Sequence, residues 1–278
     1  MLMKKLAILF IFLFAGRAYS QGFEGTIHWT MKMEITDPQR KAQIEEAQKK
    51  MSNPATQAQM KQMQEKMNDP QFKAMLESNP QMKAQIEKAI TAMSSGNVNS
   101  MFPTGLIIQV KNSDLLSKME GGMFGLETLY LKDKNQTYTL DRDNKTYSVM
   151  KTTDKPESAA GAGNDAKVTK TSETAKIMNY TCTKYIVEHK IHNETYTQFI
   201  WATKEIKDID LKALGKQRMG KDYQLYVDKI DGVPLRVEMK TKEAAMSMEV
   251  NQLKKESVPA STFAIPADFK EVPSMFGN

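Results

Sequence analysis

Soft metal-binding side chains crowd one short segment near the amino terminus. Residues 28–33 read HWTMKM, which places an imidazole, an indole and two thioethers close together. Thioether and imidazole ligands favour Cu(I), and an indole ring can stabilise a cation above its face. His28, Met31 and Met33 are therefore candidate ligands of a copper site.

A structural role is the competing interpretation of this segment. If residues 28–33 are extended, Trp29, Met31 and Met33 share one face of the strand and His28 lies on the other. Flexible thioethers also fill apolar cores well. We therefore expect packing to be the main role of Met31 and Met33, with no metal site, and we keep copper as the weaker alternative.

The sequence carries no recognised catalytic motif. Its three histidines, His28, His189 and His192, form no HExxH or HxH pattern, and neither GxSxG, SxxK nor a Gly-rich phosphate loop is present. The single cysteine, Cys182, excludes an internal disulfide framework and a Cys-rich zinc site. We expect a protein that is not an enzyme and has no cofactor, with Cys182 a buried small residue.

A second group of methionines lies in a segment with helical periodicity. Residues 37–99 are rich in Met, Gln, Lys and Ala, and their apolar residues recur at spacings of three and four. Flexible thioether surfaces suit apolar ligands of different shapes. The candidate ligand-binding residues are Met60, Met63, Met67, Phe72, Met75, Met82 and Ile86, together with Trp29 on the preceding segment.

Proline and capping residues mark where these helices begin. A good N-cap residue precedes a proline four times, and proline at the first helical position costs no hydrogen bond. The predicted starts are Asp37-Pro38, Asn53-Pro54, Asp69-Pro70 and Asn79-Pro80. The segment is therefore predicted to be an insert of short helices over 37–99.

Strand patterns surround this insert. Residues 23–36 alternate between apolar and polar, which is typical of a half-buried strand. Hairpin-like strands separated by turn residues are predicted at 105–111, 126–133, 136–141, 146–150, 167–177, 180–191, 194–202, 223–230, 234–242 and 246–254. We also expect a flexible loop at 152–166, a short helix near 208–215 and an extended closing segment at 257–272.

These elements predict one α+β domain over residues 21–278. The apolar face of residues 23–36 needs a partner surface, so this strand should pair with the later strands in one antiparallel sheet. A long insertion is tolerated because the closure entropy grows slowly with its length.

An export signal is predicted at residues 1–20. Lys4 and Lys5 precede an apolar stretch that is too short to span a bilayer, and cleavage is expected after Ser20. Losing these lysines and Arg17 lowers the count of Lys plus Arg from 39 to 36 against 33 acidic residues, for a net charge of +3. We expect a periplasmic or secreted protein that has no membrane-spanning segment and binds no nucleic acid.

Two segments resemble those of known proteins. NYTCTKYIVEH at 179–189 and VPASTFAIPADFKEV at 258–272 resemble a widespread family of bacterial secreted proteins known as a domain of unknown function. The layout is also similar to the lipoprotein-carrier superfamily of LolA and LolB. That resemblance implies a curved antiparallel sheet, a half-barrel, wrapped around helices to form an apolar pocket.

Two functions from different classes follow. The first is a non-enzymatic binding protein that holds a hydrophobic small molecule, a lipid or a lipidated partner between the sheet and the Met-rich helices, which move aside to admit it. The second is an envelope interaction module in which the helices form an arm that docks on another protein. A pocket between helices and sheet favours the first function, and projecting helices favour the second.

Overall fold

The computed structural model describes residues 22–66, 69, 70, 72, 73, 76, 86, 102–122, 125, 127–150, 167–191, 194–209 and 229–274. Within these residues, one sheet has twelve strands, and two α-helices and a short 3-10 helix have both ends described. In chain order the elements are β1 (Gly25–Ile35), α1 (Pro38–Met51), α2 (Pro54–Lys66), β2 (Pro103–Lys111), β3 (Asp114–Gly121), β4 (Glu127–Leu131), β5 (Gln136–Asp141), β6 (Thr146–Met150), β7 (Lys167–Ile177), β8 (Tyr180–Ile191), β9 (Glu194–Thr203), β10 (Val233–Lys240), β11 (Ala244–Lys255), the 3-10 helix (Ala260–Phe263) and β12 (Lys270–Glu271).

The first strand lies in the middle of the sheet. The strand order is β12-β6-β5-β4-β3-β2-β1-β11-β10-β9-β8-β7, so β1 has β2 on one side and β11 on the other. Both pairings of β1 are antiparallel. The prediction that the first strand joins the later strands in one antiparallel sheet is confirmed.

The two pairings of β1 differ in length. Its pairing with β11 runs from Gly25 to Ile35, whereas its pairing with β2 ends at Thr30. The last residues of β1 therefore have a strand neighbour on one side only. This end of the sheet is where the chain leaves for α1 and where it returns at Pro103.

Side-chain caps start the helices as predicted. The Asp37 carboxylate accepts the backbone N–H of Arg40 at 2.7 Å, and the Asn53 side chain accepts that of Ala55 at 2.9 Å. Asp69 likewise accepts the N–H of Phe72 at 3.4 Å. The fourth predicted start, Asn79-Pro80, lies outside the described residues.

One strand was missed by the sequence analysis. Residues 114–121 form β3, which pairs with β2 through a tight turn at Asn112 and Ser113. Both turn residues have positive φ, 53° and 69°, which suits a two-residue hairpin, although neither is glycine. Because this turn contains no glycine, the sequence carries no strong turn signal between the two strands.

The closing segment, residues 257–272, is less extended than predicted. It contains the 3-10 helix and then β12, which pairs with β6 in parallel rather than antiparallel fashion. The predicted loop at 152–166 lies outside the described residues. So does most of the predicted helix near 208–215 and of the predicted strand 223–230, and the described ends of these two, 208–209 and 229–230, are not regular structure.

Apolar side chains form three clusters on the sheet. The largest includes Ile27, Ile108, Cys182 and Val250, each at most 3% exposed. A second cluster lies on β8 and β9 together with Ile230, and a third packs Phe263 of the closing segment against β3 to β5. The closing segment is therefore part of the core.

One carboxylate attaches the closing segment to the sheet. Glu24 Oε1 accepts the Lys111 ammonium at 2.8 Å and the backbone N–H of Val258 at 2.7 Å. Lys111 also donates to the Val258 carbonyl at 2.6 Å. These contacts hold the pKa of Glu24 below its ordinary value, and the hydrogen bond from Lys111 has the largest effect.

Replacing Glu24 by Gln should loosen the closing segment at neutral pH. Because the folded-state pKa is lowered, the carboxylate stabilises the fold above pH 4.5, and this contribution is lost as the pH falls through the folded pKa. Hydrogen exchange of residues 258–264 should be faster in Glu24→Gln at pH 7, and the difference from wild type should vanish in acid. Glu243→Gln, an exposed control, should leave this exchange unchanged, and equal exchange in Glu24→Gln and wild type at pH 7 would contradict the role.

The thiol of Cys182 should be inert in the folded protein. Its side chain is fully buried, and burial, with a smaller effect from the Glu205 carboxylate, raises the pKa of Cys182 from 9.0 to about 11. The buried neutral thiol therefore contributes to the free energy of unfolding below pH 9. This contribution falls by about 2 kcal/mol as the pH rises from 9 to 11. The stability gap between wild type and Cys182→Ala, measured by urea unfolding, should narrow by that amount over this range. Alkylation of the native thiol at pH 8 as fast as that of the unfolded chain would show that the side chain is not buried.

Candidate functional site

Three methionines lie directly opposite one another across β1, β11 and β10. Met33 of β1 is opposite Met246 of β11, which is opposite Met239 of β10. Directly opposed residues of neighbouring strands point to the same face of a sheet. We call Met33, Met246 and Met239 the methionine row.

A second pair of thioethers lies one step further along the same strands. Met31 is opposite Met248, and both belong to the same face as the methionine row because they are two positions away from Met33 and Met246. Trp29 and Val250 come next on that face. The five methionines thus form one patch on adjacent strands.

Exposure is highest at the β1 end of the patch. Met33 is 42% exposed, whereas Met248 is 6% exposed. Met31, Met239 and Met246 are half-buried. The patch is therefore accessible from solvent at Met33 and closes toward the core.

The structure brings together only part of the predicted metal set. Met31 and Met33 share a face, but His28 lies on the opposite face of β1 and is opposite Ile107 and Gln252. Met239 and Met246 were not among the site residues predicted from the sequence. One signal could have found part of the set, because Met31-Lys32-Met33 and Met246-Ser247-Met248 have the same spacing.

The predicted helical ligand residues are described only in part. Met60 and Met63 belong to α2, but their side chains lie outside the described residues, as do Met67, Met75 and Met82 entirely. Phe72 and Ile86 are half-buried. None of the described side chains of α1 and α2 is buried, and their ligand-binding role stays a prediction.

A pocket of about 670 Å³ lies at the end of the sheet where β1 leads into α1. Its lining runs over consecutive residues of three neighbouring strands, 31–34, 238–240 and 245–247, and over 102–104, where the chain returns from the insert. Four of the lining residues are methionines, Met31, Met33, Met239 and Met246. No α1 or α2 residue is among the described lining residues.

The remaining lining is mixed in character. Two aromatic residues, Phe102 and Phe199, lie with two lysines and two glutamates, which are Lys32, Glu34, Glu238 and Lys240. Lys32 is aligned with Ser247, Glu238 and Phe199 across four strands, on the face opposite the methionine row. Since this pocket lies at the strand ends, residues from both faces contribute to it.

Paired charges lie next to the pocket on that opposite face. Arg236 contacts Glu249 at 2.5 Å, and its guanidinium lies 5.9 Å from the centre of the Trp201 ring. The Lys184 ammonium lies 4.8 Å from the centre of the Phe199 ring. These cations are already partnered, so this surface is held together by its own pairs.

In the described part of the chain, no group of three or more His, Cys, Asp and Glu side chains comes together. Among the described helices, none has both the length and the apolar character needed to cross a membrane. The concentrated feature that remains is the methionine patch and the pocket beside it.

Two solved structures show weak similarity to the chain. "Structure of PNGF-II in C2 space group" shares 14% identity and a TM-score of 0.34, and the alignment covers 61% of this chain and 28% of that one. "Crystal structure of LprF from Mycobacterium bovis" shares 8% identity and a TM-score of 0.27, with 58% and 84% covered. Similarity at these TM-scores establishes neither a shared fold nor a shared function. The LolA/LolB-like half-barrel therefore stays a prediction.

Sequence comparisons identify a family but no activity. No curated protein matches the sequence. The family model described as "Domain of unknown function (DUF4412)" matches residues 106–269, which include most of β2, all of β3 to β11 and most of the closing segment. Since that match covers more than half of the 278 residues, the chain belongs to the DUF4412 family.

Proposed function

We propose that this protein is an exported, non-enzymatic binding protein that holds a single-chain amphiphile, such as a fatty acid, in the pocket at the end of β1, β10 and β11. The carrying observation is the lining of that pocket, in which four methionines and two phenylalanines accompany charged residues. An amphiphile offers both an apolar chain and a polar head to such a lining.

The size of the pocket supports this class of ligand. Small-molecule sites usually have volumes of roughly 300 to 1,000 Å³, and this pocket has about 670 Å³. Its lining extends from β1 to Phe199 on β9, which is three strand spacings or about 14 Å. An elongated ligand fits that span better than a compact one.

The side chains of the lining support it as well. Thioether side chains are unbranched and polarizable, so they adapt to the bends of an alkyl chain. Lys32 and Lys240 can contact an acidic head group, while Glu34 and Glu238 limit the net charge of the lining. A carboxylate bound by one lysine, with its chain along the methionines, satisfies both parts of the lining.

The connections of the helical insert to the sheet lie beside the pocket. The insert leaves the sheet after Ile35 and returns at Pro103, and residues next to both points line the pocket. A bound chain would therefore lie close to the start of α1. Export through the predicted signal at residues 1–20 would place this binding protein in the periplasm or outside the cell.

Placing a charge on Met33 should weaken binding of a fatty acid. Cis-parinaric acid, which fluoresces when bound in an apolar site, should bind the mature chain in the micromolar range. Met33→Glu puts a carboxylate in the lining, so its dissociation constant should rise at least about tenfold, equivalent to about 1.4 kcal/mol. Fluorescence titration measures both constants.

Met178→Glu is the matched control for this experiment. Met178 is 40% exposed, close to the 42% of Met33, but it lies in the turn between β7 and β8 and does not line the pocket. The control should bind like wild type. Absence of parinaric acid binding in wild type, or equal affinity in Met33→Glu, would refute the proposal. The docking-arm interpretation, which the exposed side chains of α1 and α2 favour, would then take its place.

A further inference from the structure

The methionine row combines three neutral sulfur ligands without any ligand of another kind. Met33, Met246 and Met239 come from three neighbouring strands and are aligned by the hydrogen-bonded register of the sheet. Met33 is more than 200 positions away from the other two, so the cluster exists only in the folded protein. A site assembled in this way is absent from the unfolded chain.

The spacing of the row allows the three sulfurs to converge. Cβ atoms of directly opposed residues are about 4.5 to 5.5 Å apart, so the outer two, on Met33 and Met239, are about 9 to 11 Å apart. Each sulfur lies two bonds beyond its Cβ on a flexible, unbranched chain. Rotation of the outer side chains toward Met246 brings three sulfurs around one centre, without a change of the backbone.

The chemistry of three thioethers is selective. Thioethers are soft ligands that favour Cu(I), whereas Mg²⁺, Ca²⁺ and Mn²⁺ prefer oxygen. Thioethers are also uncharged, so they suit a monovalent cation better than a divalent one. The surrounding face offers two further thioethers, Met31 and Met248, and the Trp29 indole beyond them.

The two ends of the methionine row differ in their surroundings. Met33 is 42% exposed, which leaves an entrance for an ion at the β1 end of the row. At the other end the Gln198 side-chain amide donates a hydrogen bond to the Met239 sulfur at 3.9 Å. Gln198 lies on β9, so rotation of Met239 toward Met246 exchanges this hydrogen bond for the bound ion.

We propose that Met33, Met246 and Met239 form a binding site for a single soft monovalent cation, Cu(I). This site differs from the set that the sequence suggested, because His28 is on the other face and two ligands come from β10 and β11 instead. It does not depend on the amphiphile proposal, since a sulfur-bound ion and an apolar chain need different properties of the same methionines.

Silver provides the test, because Ag(I) has the same preference for thioethers and is stable in air. The mature chain, labelled with ¹³C at the methionine methyl groups, is titrated with silver nitrate in chloride-free buffer. We expect the methyl signals of Met33, Met239 and Met246, assigned from single Leu variants, to shift together and to saturate at one equivalent. Signals of other methionines should move only at higher ratios. First shifts at other methionines would overturn the proposal.

A triple variant separates ligation from packing. Met33→Leu, Met239→Leu and Met246→Leu together keep the apolar volume, and each such exchange usually costs less than about 1.5 kcal/mol. The tightest Ag(I) site should weaken at least about tenfold in this variant and should be unchanged in Met178→Leu. Cu(I) affinities, measured by competition against a chromophoric chelator under anaerobic conditions, should rank the three proteins in the same order. Unchanged affinity in the triple variant would refute the site, and if that variant does not fold, the methyl shifts of wild type still decide.

Two separate readouts in the wild-type chain distinguish this proposal from the amphiphile proposal. Methyl shifts with silver report the methionine row, and parinaric acid fluorescence reports the pocket. Met33→Glu should lose parinaric acid through its charge. A chain that binds silver at the row but takes up no parinaric acid supports the metal site alone, and the reverse result supports the amphiphile alone.

Discussion

The pairing of β1 with β11 is the interaction on which the rest of the sheet depends. It joins a strand near the amino terminus to one near the carboxyl terminus, and just past the end of β11 the Thr26 hydroxyl donates a hydrogen bond to the Glu256 carboxylate, 230 positions away. On one side of this seam lie β2 to β6 and β12, and on the other β7 to β11. A slip of one residue would turn every β1 side chain to the wrong face. The register with β11 shifts at one position, between His28 and Trp29. Next to it, the Asn251 side-chain amide donates a hydrogen bond to the Thr30 hydroxyl at 2.6 Å.

The same register gives the two faces of the central strands different chemistry. One face carries the methionine patch and merges with the largest apolar cluster. The other carries paired charges, such as Arg236 with Glu249, and cations above aromatic rings. The pocket lies where these faces meet at the strand ends, so it offers sulfur, aromatic carbon and charge within one lining.

Local patterns predicted the elements better than they predicted the site. Alternation marked β1, and turn residues gave the bounds of β5 to β8, because these signals lie within a few neighbouring residues. β3 was missed because Asn112 and Ser113 adopt left-handed conformations without a glycine to announce them. Met31 and Met33 were visible as neighbours in the sequence. Met239 and Met246 join them only through long-range pairing, which no local pattern encodes.

The central place of β1 also sets the order in which this chain can fold. The first strand to be synthesised receives β2 only after the whole insert has been made, and it receives β11 only when nearly the entire chain is available. Until then the meander from β2 to β6 and the meander from β7 to β11 can each form hairpins from near neighbours, while β1 stays unpaired. We expect a late closing step of this kind to slow folding and to leave intermediates prone to association. The sheet is therefore complete only when β1 and β11 are both available to pair.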